Sequence, residues 1–351
     1  MTAPLLVVAH EGYRNGATLV LRNLLPHLEA EVGRPIRVEV TSGGPMAAEL
    51  RGLTTAEGFD APAVVLVNSA LAADRRVDLA GIPSVIYVHE VGEALERLSP
   101  AALEGLVQAD RLLCVSERSR ADLLGLGVRD DRVAVLAPPI VARPPSAAAA
   151  RRARAELGAG PGERLVVACG EAAWRKGADL FVDLARTSAD PGVRWAWIGR
   201  RSRAFARLLD HDTHLAGLED RLTWFGEVPD ALPHLAAADL VVVPSREDPQ
   251  PLVALEAAVA GTAAVGFAST GMADLAALDA AGAVPYPDVA ALADLVVRLL
   301  DDEPARHASV ERARRIVAHE RSLETVAARV GEALRAVVHP SPPTSAPPES
   351  P

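Results

Sequence analysis

The chain has 351 residues, of which 50% are apolar, 23% charged and 3% aromatic, with a formal net charge of −10. The length suits two domains of ordinary size, and the acidic balance excludes a general nucleic-acid binder, which needs a basic face against phosphates. No apolar run approaches the roughly 20 residues of a spanning helix, so no stable membrane insertion is expected.

Residues 1–10 lack the basic start and long apolar stretch of a signal peptide and read as a first strand. Short apolar runs then alternate with helix-length amphipathic stretches. In the first half the runs are 5–9, 36–40, 63–67, 84–88, 111–115 and 133–136. In the second half they are 164–169, 194–198, 222–225, 240–243, 262–267 and 283–286. Each is short, rich in Val, Leu or Ile and nearly continuous, as in parallel strands buried on both faces. Two such series predict two doubly wound, Rossmann-like α/β domains. The proline-dense stretch 137–146 marks the boundary, since it can continue neither a helix nor a central strand. The domains are expected over 1–141 and 142–322. Helical stretches at 288–300, 304–319 and 323–338 follow the last strand, and the Pro/Ser-rich tail 339–351 is expected to be disordered. Cys114 and Cys169 each fall inside a predicted strand and read as small apolar core residues, which points to a cytoplasmic protein.

In doubly wound sheets ligands bind outside the carboxyl ends of the strands. Two of those ends stand out. After 164–169 comes Gly170-Glu-Ala-Ala-Trp174-Arg175-Lys176-Gly177, and Lys176 is the one lysine among 36 Lys and Arg side chains. Arginine is a planar fork, whereas lysine is a compact ammonium on a flexible stem, which suits a phosphate-binding loop. The plainer reading is a solvated loop residue. After 240–243 comes Pro244-Ser-Arg-Glu-Asp248-Pro-Gln-Pro-Leu252-Val253-Ala-Leu-Glu256, with Gly261 beyond. Asp248 suits a helix N-cap, Pro249 and Pro251 the first turn, and Gly261 the stop. Glu256, one turn into that helix, is placed to meet a pair of ligand hydroxyls. Three other signals carry less weight: His10-Glu11 at the first strand end, the stretch 210–214, which has metal-ligand residue types beside a surface helix, and the cluster Arg151, Arg152 and Arg154, which reads as a solvated helix face.

The order and spacing of these motifs resemble the retaining GT-B glycosyltransferases of family 4, glycosyl transferases group 1. The match rests on Asp248 and Glu256 at the family's acid–seven–Glu spacing and on Trp174-Arg-Lys176-Gly at its pyrophosphate loop. Asn15-Gly16 at a glycine turn, Tyr87-Val-His89-Glu90 at a strand end, Val115-Ser116 and Phe225-Gly226-Glu-Val228 add to it. The resemblance runs from about residue 5 to 320. It implies a GT-B fold with an interdomain cleft, the last helix 323–338 returning to the first domain, and metal-independent transfer from a nucleotide-diphosphate sugar to a saccharide, lipid or natural product. It implies no cofactor besides that donor. His89, Lys176 and Asp248 would act at the reacting centre. Gly16, Gly170, Arg175, Lys176, Val228, Leu252, Val253 and Glu256 would bind the donor, with Asp274 a further contact. Glu171, Gln250 and Pro251 depart from the family's usual residues. A nucleotide-sugar epimerase of the same fold, or a non-catalytic nucleotide-sugar-binding protein, fits the same residues.

Overall fold

The computed structural model describes residues 3–58, 61–188, 190–269 and 271–339. From residue 340 onward the expected disordered tail lies outside them. The chain divides into two compact units, Met1–Leu136 with Leu323–Pro351, and Ala137–Ser322.

The first unit is built on β1 (Leu5–Ala9), β2 (Ile36–Val40), β3 (Val64–Asn68), β4 (Ser84–Val88), β5 (Arg111–Cys114) and β6 (Val133–Val135). They form one parallel sheet in the order β2-β1-β3-β4-β5-β6. Every residue of β1, β3 and β4 is buried, which is why these runs do not alternate. The helix Leu323–Val338 belongs to this unit and lies on the helix Gly16–Val32. Its buried residues Val326, Ala327, Val330, Gly331 and Leu334 recur three and four apart, forming one apolar stripe. A Cβ at Gly331 would lie 2.8 Å from the Glu31 Cβ, so the small residue permits the close approach.

The second unit carries β7 (Arg164–Cys169), β8 (Val193–Ile198), β9 (Leu222–Gly226), β10 (Leu240–Val243), β11 (Ala264–Phe267) and β12 (Gly282–Val284). Their parallel order is β12-β11-β10-β7-β8-β9. Although aromatics are scarce, three cluster on one face of this sheet. Phe181 meets Trp195 edge-on at 5.5 Å and Trp197 at 5.3 Å between ring centroids, a favoured geometry that adds to their burial.

The second unit begins at Ala137, whereas the sequence places 137–141 with the first domain. The reason is local. The Ile140 N–H donates to the Arg321 carbonyl at 2.8 Å, and the Ile140 side chain is buried in the core of the second unit. The arginine cluster also differs from expectation. Arg154 is not simply solvated: its guanidinium donates to the carbonyls of Ala237 and Glu163 and to Asp239, tying its helix Ala147–Glu156 to the sheet.

Strand order locates the crevices. In the first unit the chain reverses direction between β1 and β3, and in the second between β7 and β10. At such a switch point the connections leave in opposite directions and open a space beyond the strand ends.

Candidate active site at the switch point of the second sheet

Lys176 follows β7 and Asp248 follows β10, so the two flank the switch point. Lys176 sits in a single 3-10 turn, Trp174–Lys176, ended by Gly177 in the left-handed conformation at φ 71°. A Cβ at Gly177 would lie 1.9 Å from the Pro244 carbonyl oxygen, so only glycine lets the lysine loop lie against the end of β10. The Lys176 ammonium donates to Asp248 Oδ2 at 2.5 Å, with side-chain exposures of 23% and 5%. A carboxylate this buried is tolerated because a cation compensates it. Ser245 Oγ donates to the same oxygen at 3.5 Å.

Asp248 does not serve as the N-cap expected of it. The helix runs Leu252–Ala260 and has no side-chain cap. Pro249 therefore lies before it and Pro251 stands at the cap position. The Asp248 carboxylate is engaged by Lys176 and Ser245, and its carbonyl accepts from the Gly271 N–H at 3.0 Å. Segment 244–251 is thus held by neighbouring loops rather than by its own helix. Gly261 ends that helix at φ 99°, as expected.

Lys176, Asp248 and Val253 line one small recess with Cys169, Trp197 and Ser245. Cys169 is half-buried at its wall rather than in the core. Burial and the charge of Glu256 push its thiol up to about 12, opposed by Lys176, so it stays protonated and unreactive. Glu256 is half-buried, and burial, with the charge of Asp230 adding, pushes its carboxyl up to about 7. Val228, Leu252 and Val253 are partly buried against the same core cluster. The Gly170 carbonyl accepts from the Trp197 indole N–H at 2.9 Å.

The Lys176 and Asp248 loops are stitched together by Arg175 and by groups the sequence reading did not single out. Arg246 forms a two-pronged pair with Asp179, at 2.7 and 2.6 Å, and donates to the Trp174 carbonyl at 2.7 Å. Its guanidinium stacks 4.6 Å from the Trp174 ring centroid. Arg175 is exposed and donates to the Glu247 carbonyl at 2.7 Å, while its own carbonyl accepts from the Arg246 N–H at 2.9 Å. Two-pronged guanidinium–carboxylate pairs hold orientation as well as charge. Of the departures, Glu171 pairs with Arg200 at 3.1 Å and Gln250 is buried. The stretch 210–214 lies in the helix Arg203–Leu215, and no group of three or more metal-ligating side chains occurs among the described residues.

In the first unit, Gly16 opens the helix Gly16–Val32, whose N-cap Asn15 accepts from the Thr18 N–H at 3.0 Å. His89 follows β4, half-buried, with Nε2 3.0 Å from Asn68 Oδ1. Burial pushes its imidazole down to about 3, so the ring is neutral.

Residues 163–302 match the family described as Glycosyl transferases group 1. The matched stretch contains the recess and lies wholly within the second unit. Among curated proteins the chain is 33% identical over 177 residues to a lipopolysaccharide core biosynthesis mannosyltransferase, LpcC, of Rhizobium leguminosarum bv. viciae, covering 49% of this chain and 50% of that one. It is 35% identical over 146 residues to a 2-deoxystreptamine N-acetyl-D-glucosaminyltransferase of Streptomyces fradiae, covering 39% and 34%. The chain thus spans about half or less of the curated relatives it matches. Among solved structures, Anabaena Alr3699/HepE in complex with UDP-glucose superimposes with a TM-score of 0.83 at 19% identity, covering 95% of this chain and 100% of that one. The fold is GT-B.

Gly177→Ala should cost about 2–4 kcal/mol of stability, combining a left-handed backbone penalty with overpacking against Pro244. Urea unfolding measures it, and a loss under about 1 kcal/mol would contradict the close approach.

Proposed function

We propose that this chain is a metal-independent, retaining glycosyltransferase that moves a sugar from a nucleotide-diphosphate donor to a hydroxylated acceptor. The observation that carries the reading is the Lys176–Asp248 pair at the switch point within the matched stretch. The donors of the UDP- and UDP-glucose-bound neighbours and the transferase names of the relatives support the same class.

As the glycosidic bond breaks, the leaving diphosphate gains negative charge. A fixed cation at that position stabilises the transition state more than the ground state. Lys176 has the flexible stem to turn from Asp248 to a phosphate oxygen. Arg175 and the N-terminus of the helix Ala178–Thr187 add positive potential. Glu256 would hold the ribose hydroxyls as a carboxylate acceptor, with Gly170, Val228, Leu252 and Val253 shaping the nucleotide contact. Asp248 and, from the first unit, His89 and Gly16 are assigned to the donor sugar. Retention is assigned to front-face attack through an oxocarbenium-like state, with no protein nucleophile. A thermal-shift panel of nucleotide sugars identifies the donor, since bound ligand raises apparent stability by mass action.

Lys176→Ala should slow transfer by at least ~10²-fold, the order lost with one oxyanion donor. It should also destabilise the fold, because Asp248 is left buried and unpaired. Adding Asp248→Asn should restore stability without restoring transfer. Near-normal transfer by Lys176→Ala would refute the leaving-group role.

Glu256 makes binding pH-dependent. Its folded carboxyl is raised to about 7, so in the free protein it holds a proton below that pH. Ribose hydroxyls donate to the ionised form. Nucleotide affinity should therefore weaken by up to about tenfold per pH unit below about 7 and level off above it. The same shift means the protein loses, as pH rises through about 7, stability that it holds below the ordinary carboxyl range. Glu256→Gln should flatten both dependences and weaken nucleotide binding. An affinity independent of pH in the wild type would speak against the ribose role.

A further inference from the structure

Asn68 ends β3, the strand beside the switch point of the first sheet, and is 3% exposed. Its side chain bridges the helix opened by Gly16 and His89. Nδ2 donates to the Ala17 carbonyl at 3.1 Å, in the first turn of the helix opened by Gly16, and Oδ1 lies 3.0 Å from His89 Nε2. A backbone carbonyl can only accept, so the NH2 end of Asn68 must face Ala17 and its oxygen must face the histidine. The histidine nitrogen opposite that oxygen must then carry the proton. In a neutral ring, Nδ1 is left with its lone pair.

The backbone around Asn68 is built to hold this arrangement. The next residue, Ser69, has φ 147° and ψ 142°, a conformation that L side chains rarely adopt, and it is 2% exposed. Glu90 secures it. The Ser69 hydroxyl donates to Glu90 Oε1 at 2.5 Å, while the N–H groups of Ala70 and His89 donate to Oε2 at 3.0 and 2.9 Å. The Glu90 carbonyl in turn accepts from Ser119 Oγ at 2.9 Å. One carboxylate thus ties the residue after Asn68 to the backbone of His89. Tyr87 lies against the imidazole, 4.5 Å away between ring centroids, and its hydroxyl donates to the Leu136 carbonyl at 2.8 Å. The low basicity imposed by burial agrees with a ring that stays neutral.

We propose that Asn68 is the positioning residue that fixes His89 as the Nε2-protonated tautomer, so that Nδ1 presents a hydrogen-bond acceptor to a substrate hydroxyl. The chemistry follows directly. A neutral acceptor nitrogen recognises an O–H donor; it does not neutralise a phosphate and does not deliver a proton to a leaving group. Within the glycosyltransferase reading, on which the functional half of the proposal rests, this makes His89 a reader of sugar hydroxyls and leaves the leaving-group charge to Lys176.

The test is 15N-resolved NMR of the histidine rings in the full chain, with His89 assigned by its loss in His89→Gln. At pH 7 the wild type should show Nε2 protonated and Nδ1 bare. An Nδ1-protonated ring or an imidazolium would overturn the proposal, whatever the protein binds. Asn68→Asp supplies the second arm. A carboxylate there accepts from Nε2 and favours the imidazolium, turning Nδ1 into a donor. With the nucleotide sugar that stabilises the protein most among UDP-, GDP- and ADP-sugars, transfer at pH 7 should fall at least ~10-fold, while the matching nucleoside diphosphate binds within about twofold of wild type. A doubly protonated ring with undiminished transfer would overturn the acceptor role. Failure of any nucleoside diphosphate to bind the wild type would sink the transferase reading, yet the ring spectrum would still decide the tautomer.

Discussion

The ion pair between Lys176 and Asp248 is the interaction on which the second unit's site depends. Asp248 is 4% exposed, and a carboxylate that deep persists only while a cation faces it. The pair spans the loops after β7 and β10, the two strands between which the sheet reverses its winding. Everything nearby fixes that span. Gly177 brings the lysine loop against Pro244, Arg246 clamps Asp179 and Trp174, and Arg175 exchanges hydrogen bonds with segment 246–247. The lysine is consequently held in one place against a buried carboxylate.

The first unit repeats the plan with different chemistry. A neutral amide, Asn68, joins the helix after β1 to the histidine after β4, beside a strained Ser69 held by Glu90.

Much of this was legible in the sequence, for identifiable reasons. Strands buried on both faces leave continuous apolar runs, and β1, β2, β4, β7 and β10 fall where those runs lie. The solitary lysine and the Asp248–Glu256 spacing pointed to the two loops that flank the switch point. What sequence misjudged was the partner of each group. Asp248 resembles an N-cap because capping is a local pattern, yet its carboxylate is taken by a lysine 72 residues away. Cys169 reads as core because its strand is apolar, but it is the last residue of that strand and borders the recess. Arg246 and Asp179 lie 67 residues apart, so no local pattern pairs them. Asn68 was invisible, a polar residue one step beyond an apolar run, and only strand order shows that it lies beside the crevice. The signal that could have found it is its place at a strand end next to the reversal.

The central claim is that Asp248 holds Lys176 in the free protein and yields it to a diphosphate. The most direct measurement is the calorimetric affinity of the sugar-free nucleoside diphosphate for Asp248→Asn and for wild type. Removing the competing carboxylate while keeping its shape should tighten that binding by about 3–10-fold, since the lysine no longer has to exchange one anion for another. An affinity that is unchanged or weaker would show that Lys176 is not released to the diphosphate, and the leaving-group assignment would fall with it.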